Sequence, residues 1–149
     1  MALIAVFIVI GAAVLLLGGG SFLMGNLSAT DIAGYAANAG FANSDLDVAV
    51  AVALAESSGN PGAVGDLNLT PGGSVGLWQI NLKAHPEFAG QDLTDPQTNA
   101  NAAYSVYQAA GSSFSPWSTY KSGAYSNYLL TAQAGVSAML AAQNTDTSA

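Results

Sequence analysis

The chain has 149 residues and a formal net charge of −7, with Lys83 and Lys121 as its only Lys or Arg side chains. Nucleic-acid binding needs a basic surface to displace counterions from phosphate, and charge-driven adhesion to anionic lipid needs a polybasic patch, so both classes are excluded. With no cysteine and the single histidine His85, thiolate and histidine-based metal sites are not expected, and neither is a cofactor.

Residues 2–24 carry no charge and consist largely of Leu, Ile, Val, Ala, Phe and Gly. Twenty-odd residues at ~1.5 Å each reach ~30 Å, the depth of a bilayer core, which predicts an N-terminal transmembrane helix. A signal peptide is the competing reading. It wants a cationic start and a small-x-small cleavage site, whereas no Lys or Arg precedes the run and Leu27-Ser28-Ala29 puts a large residue at the cut. The expectation is an uncleaved anchor, although Gly18, Gly19 and Gly20 weaken its end. With no flanking charges, the positive-inside rule has nothing to act on.

Residues 28–42 read as a short helix leading away from the anchor. Ser44 reads as the N-cap of the next helix, with Asp45 and Asp47 at its positive end. Residues 46–55 are almost wholly apolar. Their Val-Ala alternation also fits a strand, but the cap, the alanines and Gly59 as a stop favour a helix buried on most sides. Residues 60–73 are rich in Asn, Gly and Pro and read as loop. Residues 74–81 read as a short strand or hairpin. Asp95-Pro96 is a helix start, followed at helical spacing by Ala100, Ala103, Tyr104, Tyr107 and Ala110 and closed by Gly111. Ser115-Pro116 repeats the start signal for a shorter helix. Leu129, Ala132, Val136 and Leu140 mark a last helix, and residues 143–149 read as a disordered tail. The predicted fold class is mainly α, an α+β domain with a small β or irregular element. The organisation is an anchor at 2–24, a domain at 28–128, and a helix with its tail at 129–149.

Glu56 is a lone carboxylate closing a long apolar run. Burial disfavours its charged form, and so does the negative end of the preceding helix. Both raise its pKa, as a general acid working near neutral pH requires. Taken alone, however, it reads as an ordinary solvated glutamate at a helix exit.

Its surroundings change that reading. Glu56-Ser57-Ser58-Gly59-Asn60-Pro61 is followed by Gly76-Leu77-Trp78-Gln79-Ile80-Asn81. Then come Asp95-Pro96 with Asn99-Ala100 and Ala102-Ala103, and finally Pro116-Trp117 and Gly123-Ala124-Tyr125. In this order the series resembles the lytic transglycosylase domain, soluble-lytic-transglycosylase type, of the lysozyme-like superfamily, over about residues 44–128. The resemblance implies a lysozyme-like fold acting on peptidoglycan glycan strands. Glu56 matches the glutamate that protonates the glycosidic oxygen between N-acetylmuramic acid and N-acetylglucosamine. Ser57 matches the serine that helps hold that carboxyl. Gln79 and Asn81 match sugar-facing polar positions, and Tyr125 matches a tyrosine near the acid or, equally, a helix-packing aromatic. Ser126 stands where the family has Asn, which removes that side chain's contact. Trp78 and Tyr120 read as sugar-stacking or core aromatics, Trp117 as core, and His85 as structural.

Most glycosidases use two carboxylates. Some lysozymes that share the Gly-x-x-Gln-Ile-Asn strip carry Asp two residues before it, where this chain has Ser74, counted here with the substrate-facing positions. Asp66, in the Gly-rich loop, could swing near, but its neighbours suggest turn chemistry, and Asp92 and Asp95 read as loop and cap. The missing partner favours the one-glutamate mechanism, in which the substrate's acetamido group supports the cationic centre and a 1,6-anhydro ring forms. Lysozyme-type hydrolysis is the alternative. An inactive peptidoglycan-binding module and a membrane spacer are the non-enzymatic readings. The expected setting is the wall side of a membrane, in a phage particle or a bacterial secretion assembly.

Overall fold

The computed structural model describes residues 25–68 and 72–146. The predicted anchor at 2–24 lies outside the described residues, and among these no helix is long and apolar enough to cross a membrane.

Helix α1 (Ala29–Ala39) opens with a reciprocal cap. Ser28 Oγ accepts from the Asp31 N–H, and the Asp31 carboxylate accepts from the Ser28 N–H at 3.0 Å and hydroxyl at 2.7 Å. Helix α2 (Asn43–Ser57) buries Leu46 and every residue from 49 to 54. Because it is covered nearly all round, its sequence carries no amphipathic stripe, which is why alternation competed with helix in the sequence. Its N-cap is Ala42, without a side-chain cap, rather than the expected Ser44. The chain enters through Asn43 at φ 54°, and Asp45 in the first turn accepts from the Tyr107 hydroxyl. The helix ends at Ser58, left-handed at φ 53°, followed by Gly59 at φ 80°.

Strands β1 (Val64–Gly65), β2 (Ser74–Val75) and β3 (Ile80–Asn81) form a small antiparallel sheet in that order. Gly65 pairs with Ser74, and Ser74 with Asn81. A 3-10 turn at Pro86–Phe88 leads to α3 (Pro96–Ala109), where Asp95 caps the Thr98 N–H at 2.8 Å as the sequence signal predicts. The short helix α4 (Ser118–Lys121) starts later than expected. Ser115-Pro116 forms a turn instead, because Trp117 is buried there, with its N–H bound to the Phe114 carbonyl and its indole Nε1 donating to the Trp78 carbonyl at 2.8 Å. A 3-10 helix (Ala124–Tyr128) runs directly into α5 (Leu129–Asp146). That last helix continues through residues 143–146 in place of the expected disordered tail; no Gly or Pro interrupts it there.

The core is organised around α2, against which α1, α5, α4 and the 3-10 helix pack. Helix α5 buries Ala132, Val136 and Met139 in this core. It approaches α1 so closely at Gly135 that a Cβ there would lie 2.6 Å from Ala29. Phe41 sits among Trp78, Tyr104, Tyr107 and Phe114 with ring centroids 5.0–6.5 Å apart. The result is a mainly helical domain with a small three-stranded sheet, in agreement with the predicted fold class.

Candidate active site

Glu56 lies in the last turn of α2, half-buried. Its Oε1 accepts a 2.7 Å hydrogen bond from the Thr119 hydroxyl, delivered by α4. Burial raises the Glu56 pKa above the usual carboxylate range, hydrogen bonds from Thr119 oppose the rise, and the negative charge of Asp66 adds to it. The net effect is upward, so a carboxyl at this position holds its proton to higher pH than a solvated one.

Ser57 is buried and serves the helix end. Its hydroxyl donates to the Ala53 carbonyl at 2.9 Å and accepts from the Gly59 N–H at 3.3 Å. The side chain that bonds Glu56 is Thr119, not Ser57. The chain entering α1 also braces this exit: the Leu27 N–H donates to the Gly59 carbonyl at 2.7 Å, and Asn26 Nδ2 to the Ser58 carbonyl at 3.2 Å. Only glycine fits at 59, since a Cβ would stand 2.4 Å from the Leu27 carbonyl oxygen.

The polar side chains of the sheet region make their hydrogen bonds within it. Gln79, left-handed at φ 47°, donates its amide to the Ala63 and Gly76 carbonyls, each at 3.0 Å. Asn81 Nδ2 donates to Ser74 Oγ at 3.1 Å, and Ser74 Oγ donates to Asp66 Oδ2 at 2.7 Å. Ser74 itself supplies no carboxylate and instead binds one that comes from eight residues earlier.

Trp78 has no exposed surface and cannot stack on a sugar. Its indole donates to the Ala49 carbonyl at 3.0 Å, its N–H to Asn99 Oδ1 at 2.9 Å, and its ring lies beside Phe41. It ties the Gly-Leu-Trp-Gln-Ile-Asn strip to α2 and α3. Trp117 is core as expected. Tyr125 is half-buried on the 3-10 helix packed against α2, with its ring 4.8 Å from that of Tyr120. These two rings form the partly open aromatic surface near the α4–α2 contact. His85 pairs with Glu87 at 3.2 Å at the surface. Among the described residues no group of three or more His, Cys, Asp or Glu could hold a metal ion.

Thr119 carries no signal in the sequence, and Asp66 carries only an ambiguous one. Thr119 is 63 positions from Glu56, and no local pattern distinguishes it from the neighbouring serines and threonines. Asp66 occupies a left-handed turn at φ 58°, as its neighbours in the sequence suggest. Its link to Ser74 depends on strand pairing.

A half-buried carboxyl with a raised pKa at a helix end is suited to delivering a proton to an acetal oxygen. No curated protein and no solved structure matches the chain. Residues 33–119 match the family described as "Lysozyme like domain". The matched span holds Glu56, Asp66, Ser74, Gln79, Asn81 and Thr119, and it stops before Tyr125. By that match over more than half of its length, the chain belongs to the lysozyme-like domain family.

Proposed function

We propose that this chain is a peptidoglycan lytic transglycosylase with Glu56 as its catalytic acid. The observation that carries the reading is the half-buried Glu56, its pKa raised by burial and its Oε1 bonded by Thr119, at the end of the central helix of a lysozyme-like domain. Glu56 gives its proton to the glycosidic oxygen between N-acetylmuramic acid and N-acetylglucosamine as the C1–O bond breaks. The substrate's acetamido group supports the positive centre. The Glu56 carboxylate then takes the proton of the muramic 6-hydroxyl, whose oxygen bonds to C1, and the acid is regenerated. Tyr120 and Tyr125 offer ring faces to a sugar, while Gln79, Asn81 and Ser74 serve the substrate indirectly, by shaping the sheet beside it.

Asp66 favours a second reading. A carboxylate bound at Ser74 gives the site a second acidic group, and with water as acceptor the same first step becomes lysozyme-type hydrolysis. The setting we infer is the wall side of a membrane, with residues 2–24 as anchor, in a phage particle or secretion assembly that opens the wall locally. The test is digestion of purified cell wall by the wild type and Glu56→Gln, with mass spectrometry of the released sugars. Clearing by the wild type alone with anhydro-muramyl ends is expected. Reducing ends would select hydrolysis, and equal clearing by both proteins would remove Glu56 from the mechanism.

A further inference from the structure

An acid in the last turn of a helix stands where helices fray, because the final carbonyls have no partners further along the helix. Here the exit of α2 is tied from outside. The Leu27 N–H donates to the Gly59 carbonyl at 2.7 Å, and Asn26 Nδ2 donates to the Ser58 carbonyl at 3.2 Å. Ser58 and Gly59 closely follow Glu56, and both are left-handed, a turn that costs Ser58 energy and that its surroundings must hold. The Ser57 hydroxyl carries the tie back into the helix, accepting from the Gly59 N–H and donating to the Ala53 carbonyl. The strap made by Asn26 and Leu27 is itself fixed. Ser28, the next residue, is locked in the reciprocal cap with Asp31, and Gly135 of α5 closes on Ala29 from the other side. Gly59 lies so close beneath the strap that a Cβ would stand 2.4 Å from the Leu27 oxygen. Asn26 and Leu27 lie outside residues 33–119, the span that matches the family.

We propose that Asn26 and Leu27 are positioning residues of the active site, a strap that holds the end of α2 so that the Glu56 carboxyl meets Thr119. The inference rests on Glu56 being the acid of the reaction proposed above. Two supports then act on this residue. Thr119 on α4 holds the carboxyl, and the strap holds the backbone that carries it. Proton delivery needs the carboxyl within about 0.5 Å of its productive place, and one hydrogen bond at the tip of a side chain does not stop the backbone beneath it from opening. Neither strap residue bonds the carboxyl, so both act through the carbonyls of Ser58 and Gly59. Their loss is therefore felt in the chemical step rather than in substrate binding. Asn26 is exposed and Leu27 half-buried, which leaves the amide of Asn26 open to change without disturbing the core. Only Gly25 separates the strap from the apolar run proposed as the anchor, so tether and acid share one brace.

The test uses the full chain in detergent micelles, with soluble, uncross-linked peptidoglycan strands as substrate. Leu27→Pro removes the backbone donor, whereas Leu27→Ala shortens the side chain and keeps that donor. Asn26→Ala removes the amide, and Asn26→Gln keeps one. Hydrogen exchange at the amides of Ser58, Gly59 and Asn60 should be about tenfold faster or more in Leu27→Pro than in Leu27→Ala, with the amides of α3 unchanged. Relative to the wild type, kcat should fall about 10-fold in Leu27→Pro and about 3-fold in Asn26→Ala while KM stays within about twofold, and Asn26→Gln should recover part of the loss. In a Thr119→Val background the Leu27→Pro loss should shrink about threefold or more, because both supports serve one carboxyl. Equal kcat in Leu27→Pro and Leu27→Ala overturns the inference, whatever exchange shows. Should Leu27→Pro fail to fold, Asn26→Ala decides, and wild-type kcat there overturns it. The same fold-loss with and without Thr119 marks a strap that only stabilises the fold and also overturns it. Glu56→Gln separates the two levels. Activity retained by that variant overturns the proposed function and the positioning role with it. Activity lost there, with kcat unmoved in the strap variants, overturns the strap alone.

Discussion

Glu56 is held between opposing influences: burial and Asp66 press it toward the neutral form, while Thr119 favours the ion. Its raised pKa has a consequence for stability. Between the unfolded and folded values the native state binds more protons than the unfolded chain, so stability is fully present below the unfolded pKa and is lost as pH rises through the folded one. Glu56→Gln removes the ionisation and keeps an oxygen for Thr119. Its melting temperature should therefore exceed that of the wild type at pH 7, and the difference should shrink at pH 4, as read by calorimetry. Thr119→Val should move the alkaline limb of activity upward, because a bond favouring the ion is gone, and lower the rate roughly 3- to 10-fold through a looser carboxyl. A downward limb in the rate–pH profile would contradict the assigned bond. The sequence revealed Glu56 only through its neighbouring motifs. Thr119 was hidden, because its value lies in which helix end α4 approaches.

The β-element is set in place by Asn99, a residue with no exposed surface on α3. Its Oδ1 accepts from the Trp78 N–H, and its Nδ2 donates to the carbonyls of Val75 at 2.9 Å and Leu93 at 3.0 Å. Gly76 passes directly over this amide at φ 81°, and a Cβ there would stand 2.3 Å from both Asn99 Nδ2 and the Leu93 oxygen. Asn99→Ala strands buried donors and acceptors and should cost about 2–4 kcal/mol of unfolding free energy in denaturant titrations. Gly76→Ala should cost at least as much, since strain and collision add, roughly 2 kcal/mol or more. A loss below half a kcal/mol in either variant would show that the sheet does not depend on this junction. Asn99 was legible as part of a motif and Gly76 as its first glycine. That one locks the other was not, because 23 residues separate them. Helix starts divided the same way. Asp95-Pro96 behaved as its local chemistry dictates, whereas α2 starts one residue before Ser44, at Asn43, and Ser115-Pro116 gave way to a turn beside the buried Trp117.

At the scale of the molecule, nine acidic residues face two lysines. The proposed substrate is itself anionic through the carboxylates of its stem peptides and lactyl groups, so encounter is opposed by charge at low ionic strength. Raising salt from about 10 to 150 mM shortens the Debye length from ~30 to ~8 Å and should speed wall digestion. Slower digestion over that range would point to an attractive patch that the composition does not suggest.

The sequence by itself determined the helical class, the burial of α2, the capped start of α3 and the residue types at the site, because these follow from periodicity, capping and turn chemistry within a few positions. Tertiary structure decided what each polar residue touches. It moved Trp78 into the core, gave Glu56 to Thr119 rather than Ser57, and joined Ser74 to Asp66. The physical reason is range. A cap or an apolar stripe is satisfied by neighbours in the chain, whereas a hydrogen bond between α2 and α4, or across paired strands, exists only once the core has set the distance between them.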